Sequence, residues 1–250
     1  MSVIAICNMK GGTGKTLMAI TLASYFADKE KGKVLGIDAD PQGNMSSFFA
    51  RVVPDESKTL RLYDTKEGEP DPHPFRVSDR LFLFGSDLRL SAIEPHTSVQ
   101  DYFALQGWLR RHGSDYSDVI IDSPPNLGLH SAATLLAAQY VLVPVDIGES
   151  AIEGLRSLLS SMRTLAKTGN PAIKVLGIVL TRRRQTAYAE DFEAELRAEF
   201  TKNVFRTVIP ETAAYREYMF RHRPIPPTSR TAQSVHDFVA EVEERIKEAQ

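Results

Sequence analysis

The sequence predicts an α/β fold: a mostly parallel, twisted sheet of about seven or eight strands with helices on both faces. Two observations lead to this prediction. Short apolar runs rich in β-branched residues alternate with longer segments of helical period, and strand–helix alternation is typical of parallel sheets with crossover helices. Several runs are also apolar throughout, as in strands covered on both faces. We expect a single domain over residues 1–250.

The elements follow from these two periodicities along the chain. Strands are predicted at residues 2–8, 33–37, 81–84, 119–121, 140–145, 175–180 and 204–208. Helices are predicted at residues 15–28, 97–111, 129–138, 152–167, 187–200 and 234–248. Residues 52–80 are polar and contain four prolines, a composition that predicts an irregular excursion.

Composition limits the classes of function. Charged residues make up 25% of the chain and hydrophobic ones 42%, which is typical of a globular protein. The formal net charge of -2 gives no global reason to expect nucleic acid, so any DNA contact must come from a local patch. Cys7 is the single cysteine, which excludes an internal disulfide. Without a long apolar run or a signal peptide, we expect a cytoplasmic protein that does not bind membranes.

The segment from Met9 to Thr16, MKGGTGKT, is typical of a phosphate-binding loop. A predicted strand precedes it and a predicted helix follows, although Met9 stands where the first glycine of G-x-x-x-x-G-K-[ST] belongs. The glycines let the backbone aim its N–H groups at an anion, at the positive end of the helix dipole. Lys15 would reach the β- and γ-phosphates and Thr16 would bind Mg²⁺. The alternative is a glycine-rich turn with an incidental lysine.

Carboxylates end two further predicted strands. Asp38 and Asp40 follow one strand and Asp122 follows another, so all three should lie at the edge of the sheet where ligands bind. A lone aspartate after a strand is ordinarily a turn or helix cap, but three beside a phosphate loop favour a metal–nucleotide site. We assign Asp122 to the metal shell, Asp38 to its support and Asp40 to the attacking water.

Together, MKGGTGKT, DADPQGN and IIDSPPNLGL resemble the deviant Walker A, A′ and B motifs of the ParA/Soj-type partition ATPases, in the MinD/ParA superfamily of P-loop NTPases. The resemblance continues through VLVPVDIGESAIEGL, VLGIVLT and VFRTVIP, and thus covers most of the chain. It implies a P-loop NTPase that uses ATP and Mg²⁺ and hydrolyses ATP slowly under stimulation by a partner. It also implies a nucleoid-associated protein that partitions or positions a plasmid or chromosome with a ParB-like centromere-binding protein.

The resemblance also implies a homodimer with two ATP molecules sandwiched at its interface. Lys10 matches the family's signature lysine, which reaches the partner's nucleotide; a charge supplied in trans stabilises the transferring phosphate only when the dimer closes. The alternatives are that Lys10 binds phosphate within its own chain or is solvated. The implied catalytic residues are Lys10, Lys15 and Asp40, and the implied metal-site residues are Thr16, Asp38 and Asp122. The implied nucleotide-binding residues are Lys10, Gly11, Gly12, Thr13, Gly14, Lys15, Thr16, Leu17, Thr181, Arg182 and Pro210.

A DNA-binding surface is predicted from arginines late in the chain. Residues 201–230 hold six basic and two acidic side chains, an excess that favours nonspecific contact with phosphates. The candidates are Arg184, Arg216, Arg221 and Arg223. The cluster at residues 182–184 can serve either adenine or DNA, and Ala214 stands where many Soj-like chains have an arginine. Because the phosphate loop begins by residue 9, we expect no N-terminal helix-turn-helix domain.

The sequence disfavours two related classes of protein and leaves two other functions open. A MinD-like membrane ATPase needs a basic amphipathic C-terminal helix, whereas HDFVAEVEERIKEAQ is acidic on its polar side. A nitrogenase iron protein needs cluster-binding cysteines, whereas this chain has only Cys7. Two alternatives stay open: ParA-like positioning of another cargo, such as a chemotaxis cluster or carboxysome, and a small-molecule ligase of the dethiobiotin-synthetase type.

Overall fold

A computed structural model describes residues 1–29, 32–65, 68–223 and 230–249. Within these ranges seven strands form one sheet, in the spatial order β3-β4-β2-β5-β1-β6-β7. Every neighbouring pair is parallel except β3 with β4, which confirms the predicted mostly parallel sheet. The strands are β1 Ser2–Ile6, β2 Val34–Asp38, β3 Phe75–Arg76, β4 Leu81–Phe84, β5 Asp118–Asp122, β6 Tyr140–Asp146 and β7 Lys174–Thr181.

Helices cover both faces of this sheet, as predicted. Alternate residues of β1 show why its run is apolar throughout: Val3 packs into the core that contains Trp108, whereas Ile4 packs into the core that contains Met18 and Phe238. A strand buried on both faces needs apolar residues at every position. The helices are α1 Lys15–Asp28, α2 Asn44–Phe49, α3 Arg61–Asp64, α4 Asp101–His112, α5 Leu129–Ala137, α6 Ala151–Thr168, α7 Ala187–Phe200, α8 Ala213–Arg221 and α9 Arg230–Ala249.

The three central strands end at the same level, and this places the site. In the parallel register Ile6 of β1 and Asp38 of β2 both lie opposite Asp122 of β5. The glycine-rich segment after β1 therefore begins beside the two aspartates that end β2 and β5. In the part of the chain that the structure describes, no helix is long and apolar enough to cross a membrane.

The predicted strand over residues 204–208 is wrong. Only isolated parallel bridges join this region to β7 and the residues after it, at Val204 with Ile178 and at Pro210 with Arg183. The backbone N–H groups of Arg206 and Thr207 donate instead to the Glu241 carboxylate of α9, at 2.8 and 2.9 Å. A side chain thus takes the donors that a continuous ladder would need.

Several boundaries also differ from the prediction. Two short 3₁₀ turns, Leu88–Ala92 and Glu94–His96, precede α4, so this helix begins at Asp101 rather than at residue 97. The excursion over residues 52–80 contains α3 and the two-residue edge strand β3. The short helices α2 and α8 were not predicted. With six residues α2 is too short to show a clear helical period, and α8 buries Tyr215 alone, so it lacks an apolar face.

Candidate nucleotide-binding site

The glycine-rich loop between β1 and α1 has the backbone conformation that its glycines predict. Gly12 and Gly14 adopt φ values of 76° and 92°, in the left-handed region that other residues avoid. Asn8 anchors the start of the loop: its Nδ2 donates to the Pro144 carbonyl at 2.6 Å, and its Oδ1 accepts from the Lys10 N–H at 3.0 Å. The loop therefore leads into the N-terminus of α1 from a fixed starting point.

Lys15 lies inside this loop. Its side chain is buried, and Nζ donates to the Lys10 carbonyl at 3.1 Å. Burial lowers the pKa of Lys15, while the nearby charges of Asp122 and Asp40 act in the opposite direction. The ammonium group is therefore held close to the loop backbone and to two carboxylates, in the position expected of a phosphate-binding lysine.

Asp38 and Asp122 are both fully buried but have different surroundings. One Asp38 oxygen accepts hydrogen bonds from the N–H and hydroxyl of Ser46, at 2.8 and 2.6 Å, and the other accepts from the Asp40 N–H at 3.2 Å. Burial raises the pKa of Asp38 to about 6 despite these bonds. The carboxylate is thus oriented entirely by groups of its own chain.

Asp122, by contrast, has no hydrogen-bond partner on either carboxylate oxygen. Burial and the neighbouring charge of Asp38 raise its pKa well above the ordinary value; the nearby Thr16 hydroxyl lowers it somewhat without forming a hydrogen bond of normal geometry. An orphaned buried carboxylate is unfavourable in water-free surroundings, and a cation bound to these oxygens would offset that cost.

Thr16 and Asp122 fit a magnesium ion. Mg²⁺ prefers oxygen ligands and is commonly bound by one or two protein side chains together with phosphate and water oxygens. Among the described residues, no group of three or more His, Cys, Asp or Glu side chains could hold a metal ion. The oxygens of Asp38 are already engaged, which fits the supporting role predicted for it.

Asp40 follows Asp38 at the same edge. It is 8% exposed, and its Oδ1 accepts from the Gln42 N–H at 2.9 Å. Because its charge acts on both Lys15 and Asp122, the carboxylate lies close to the phosphate loop. This location fits a group that orients water, a role that stays a prediction.

A pocket of about 370 Å³ opens beside the phosphate loop. Leu17, Thr181, Arg182 and Pro210, the nucleotide-binding residues predicted outside the loop, all line it. Sequence reasoning did not assign other lining residues to a nucleotide, because they lie on the unpredicted helix α8, in the segment just before it, or on α1. These are Met18, Ile209, Glu211, Thr212, Tyr215, Arg216 and Met219. The mixture of apolar and cationic side chains suits a nucleoside.

The end of β7 is tied directly to the phosphate loop. The Thr181 hydroxyl donates to the Thr13 carbonyl at 2.8 Å, and Arg182 Nη1 lies 3.4 Å from the Gly12 carbonyl. Arg182 has a φ of 54°, a left-handed conformation that is uncommon outside glycine. The structure therefore brings the predicted adenine-side residues and the phosphate loop into one continuous site.

Lys10 occupies a different position from Lys15. Its side chain is exposed, and a Cβ placed on Gly148, in the segment between β6 and α6, would lie 3.0 Å from Lys10 Nζ. The two lysines of the loop are thus separated: one is buried against the loop backbone and the other lies at the surface.

The candidate DNA-binding arginines are exposed, but most are ion-paired. Arg184 and Arg216 both pair with Glu211, and Arg221 pairs with Glu217 at 2.8 Å. Arg223 follows α8 and is exposed. The counted basic excess also includes Arg206, which pairs with Glu244 of α9, and Arg230, whose side chain lies outside the described part of the chain. Local pairing therefore reduces the predicted excess of positive charge.

Comparison with known proteins gives consistent matches. A family model described as an AAA domain matches residues 1–175. The chromosome-partitioning ATPase Soj of Thermus thermophilus is 35% identical over 98% of this chain and 97% of that protein. The chromosome partitioning protein ParA of Myxococcus xanthus is 32% identical over 89% of this chain and 80% of that protein.

Solved structures share the whole fold. The structure of apo McdA from Cyanothece superposes with a TM-score of 0.83 at 25% sequence identity, covering 100% of this chain and 99% of that chain. An ATP complex of a McdA variant superposes with a TM-score of 0.86 at 24% identity, covering 99% and 96% of the two chains. The similarity thus extends over the complete sheet and its helices.

Proposed function

The chain belongs to the ParA/Soj-type ATPases of the MinD/ParA superfamily, and on that premise we propose that it is an ATP-dependent, dimerising ATPase that drives partition. In this proposal it binds DNA nonspecifically and positions a plasmid or chromosome together with a ParB-like partner. The observation that carries the proposal is the buried, unpartnered carboxylate of Asp122 beside Thr16, because a cation next to the phosphate loop would satisfy its oxygens.

The chain's own side chains divide the work of hydrolysis. Lys15 neutralises the β- and γ-phosphates, and the loop N–H groups hold their oxygens. Thr16 and Asp122 would hold Mg²⁺, which would supply charge neutralisation at the phosphates. Asp38 fixes the local geometry through Ser46. Asp40 orients the water that attacks the γ-phosphate.

Lys10 completes the site of a second subunit in this proposal. Support comes from its exposed side chain, which lies at the surface beside Gly148, whereas Lys15 already occupies the interior of its own loop. A positive charge delivered by a partner stabilises the transferring phosphate only in the closed dimer. Hydrolysis thereby depends on assembly.

The DNA surface rests on the exposed arginines of α8 and the residues after it. Arg221 at the end of α8 and Arg223 just after it are exposed, and α8 also lines the nucleotide pocket. A shift of α8 when nucleotide binds would therefore move these arginines. Nonspecific binding through phosphates should weaken as salt rises. The likeness to McdA favours a second candidate: the same ATPase cycle with a cargo other than a plasmid or chromosome.

The test is an ATPase assay with and without nonspecific DNA, combined with size measurement in ATP. We expect ATP-dependent dimers and DNA-stimulated turnover. Lys15→Ala should abolish ATP binding by calorimetry, because the phosphates lose their buried counter-charge. Lys10→Ala should retain ATP binding but lose stimulated turnover.

Lys167→Ala is the matched control, because this exposed lysine lies at the opposite end of α6 from Gly148. Unchanged ATP affinity in Lys15→Ala would refute the loop assignment. Turnover that requires a small-molecule substrate and ignores DNA would indicate a ligase instead.

A further inference from the structure

Glu211 lies at the mouth of the nucleotide pocket and gathers three arginines. Its side chain is 18% exposed, Arg182 Nη2 donates to its Oε1 at 3.2 Å, and Arg216 Nη2 lies 3.6 Å from the same oxygen. Arg184 Nε donates to the other oxygen, Oε2. Two of these arginines are from the segment after β7 and one is from α8, so a single carboxylate joins two elements of the pocket.

The Arg182 guanidinium is held from three sides. Besides Glu211 it meets the Gly12 carbonyl at 3.4 Å and the Asp146 carboxylate at 3.3 Å. Its backbone is in the left-handed region, with a φ of 54°, which a non-glycine residue keeps only where surrounding contacts determine it. The guanidinium therefore has a fixed place at the rim of the pocket, against the phosphate loop.

Glu211 also joins the two walls of the pocket through its backbone. Its N–H donates to the Arg183 carbonyl at 3.1 Å, and the Arg183 N–H donates to the Ile209 carbonyl at 3.1 Å. Thr181 and Arg182 form one wall, and Ile209 and Pro210 form the other. The Glu211 side chain thus adds ion pairs between two walls that backbone hydrogen bonds already hold together.

We propose that Glu211 is a positioning residue for the nucleotide: its carboxylate keeps the Arg182 guanidinium at the pocket rim, so that nucleoside triphosphates bind more tightly. The inference rests on the proposed function of this pocket. A guanidinium is flat and cationic, and it can stack on a base or donate to ribose and phosphate oxygens. Arg184 pairs with the same carboxylate, so the proposal gives it a supporting role beside the pocket rather than a place on a DNA-binding surface.

Charge balance explains why the carboxylate is needed. Within the described part of the chain, the ion-pair partners of Arg182, Arg184 and Arg216 are Glu211 and Asp146. Without the Glu211 charge, like-charged guanidinium groups repel one another and only Asp146 and the Gly12 carbonyl restrain Arg182. A simple charge effect has the opposite sign, since removing a negative charge beside a triphosphate should strengthen binding.

The experiment measures the Kd of Mg²⁺-ATP by calorimetry for the wild type, Glu211→Gln and Glu217→Gln. Glu217 is the matched control: among the residues that the structure describes it pairs with Arg221 alone, and its removal changes the net charge equally. We expect Glu211→Gln to raise the Kd about three- to tenfold, with kcat at saturating ATP unchanged. Glu217→Gln should stay within about twofold.

Two further measurements keep the interpretation sharp. Arg184→Ala should raise the Kd for ATP in the same direction and leave the salt dependence of DNA binding unchanged; the reverse pattern would return Arg184 to the DNA surface. An unchanged or lower Kd in Glu211→Gln would overturn the inference, including when its nucleotide-free melting temperature falls. If the wild type itself fails to bind ATP, the proposed function falls together with the inference.

Discussion

At the scale of single residues, Asp122 combines an unfavourable buried environment with a clear functional signal. The sequence predicted it as a metal ligand, because three aspartates after strand ends beside a phosphate loop favour a metal–nucleotide site. The structure adds that both oxygens lack a partner. Removing the charge should therefore stabilise the nucleotide-free protein against unfolding. It should also remove the stabilisation that bound Mg²⁺-ATP provides.

We expect Asp122→Asn to raise the free energy of unfolding without nucleotide by about 1–3 kcal/mol, since it removes a buried unpaired charge next to Asp38. The stabilisation that Mg²⁺-ATP gives the wild type should disappear. Thermal unfolding in EDTA and in Mg²⁺-ATP measures both. Asp64→Asn is the control, because Asp64 is exposed and its ion pair with Arg61 spans 3.5 Å. A destabilised nucleotide-free Asp122→Asn variant would contradict this account.

Residue identity in the phosphate loop was readable from the sequence, but pairing between distant segments was not. The glycines, Lys15 and Thr16 lie in one short motif whose spacing has a direct physical meaning. Glu211 carries no such signal, because its partners Arg182 and Arg184 lie almost thirty residues earlier and meet it only in the fold. Arg184 was predicted for DNA, and its ion pair with Glu211 beside the nucleotide pocket was not readable from the sequence.

At the scale of elements, residues 204–208 show how tertiary contacts override strand propensity. The run is rich in β-branched residues, and Phe205 does donate to the Ile178 carbonyl at 2.8 Å. The next two N–H groups instead bond to Glu241, which is 3% exposed and also pairs with Arg245 at 2.9 Å. A sequence cannot reveal that a helix thirty residues later will supply this acceptor.

Glu241→Ala should lower the free energy of unfolding by about 3–5 kcal/mol, because two backbone donors and the Arg245 guanidinium lose a buried partner. Glu244→Ala removes an equal charge from the exposed side of the same helix, where it pairs with Arg206, and should cost under about 1 kcal/mol. Urea unfolding of both variants makes the comparison. Equal losses of unfolding free energy in the two variants would show that Glu241 is not the buried partner that fixes residues 204–208.

At the scale of the whole molecule, the sheet was predictable because strands and helices alternate along the chain, which favours parallel strands. Parallel strands ending in the phosphate loop, Asp38 and Asp122 had to converge at one edge, and the register shows that they do. What topology cannot specify is whether Lys10 acts within its own chain or on a partner, since its exposed side chain is compatible with both. That question requires an experiment on mixed dimers.

Mixing two inactive variants answers it. Lys10→Ala lacks the charge for its partner's site, and Asp40→Ala lacks the group that orients water in its own site. If Lys10 acts in trans, a mixed dimer has one complete site: the Lys10→Ala chain keeps its own Asp40 and receives Lys10 from the other chain. Random pairing of equal amounts should then restore about a quarter of the wild-type DNA-stimulated ATPase rate.

The control is a mixture of Lys10→Ala with Lys15→Ala. Here too the Lys10→Ala chain receives an intact Lys10, but its partner binds no ATP, so a dimer that needs two bound nucleotides stays inactive. Rescue by Asp40→Ala without rescue by Lys15→Ala would place Lys10 in the partner's site and require both nucleotides for closure. If the mixture of Lys10→Ala and Asp40→Ala regains no activity although the two chains form ATP-dependent mixed dimers, Lys10 acts within its own chain, and assembly does not complete the site.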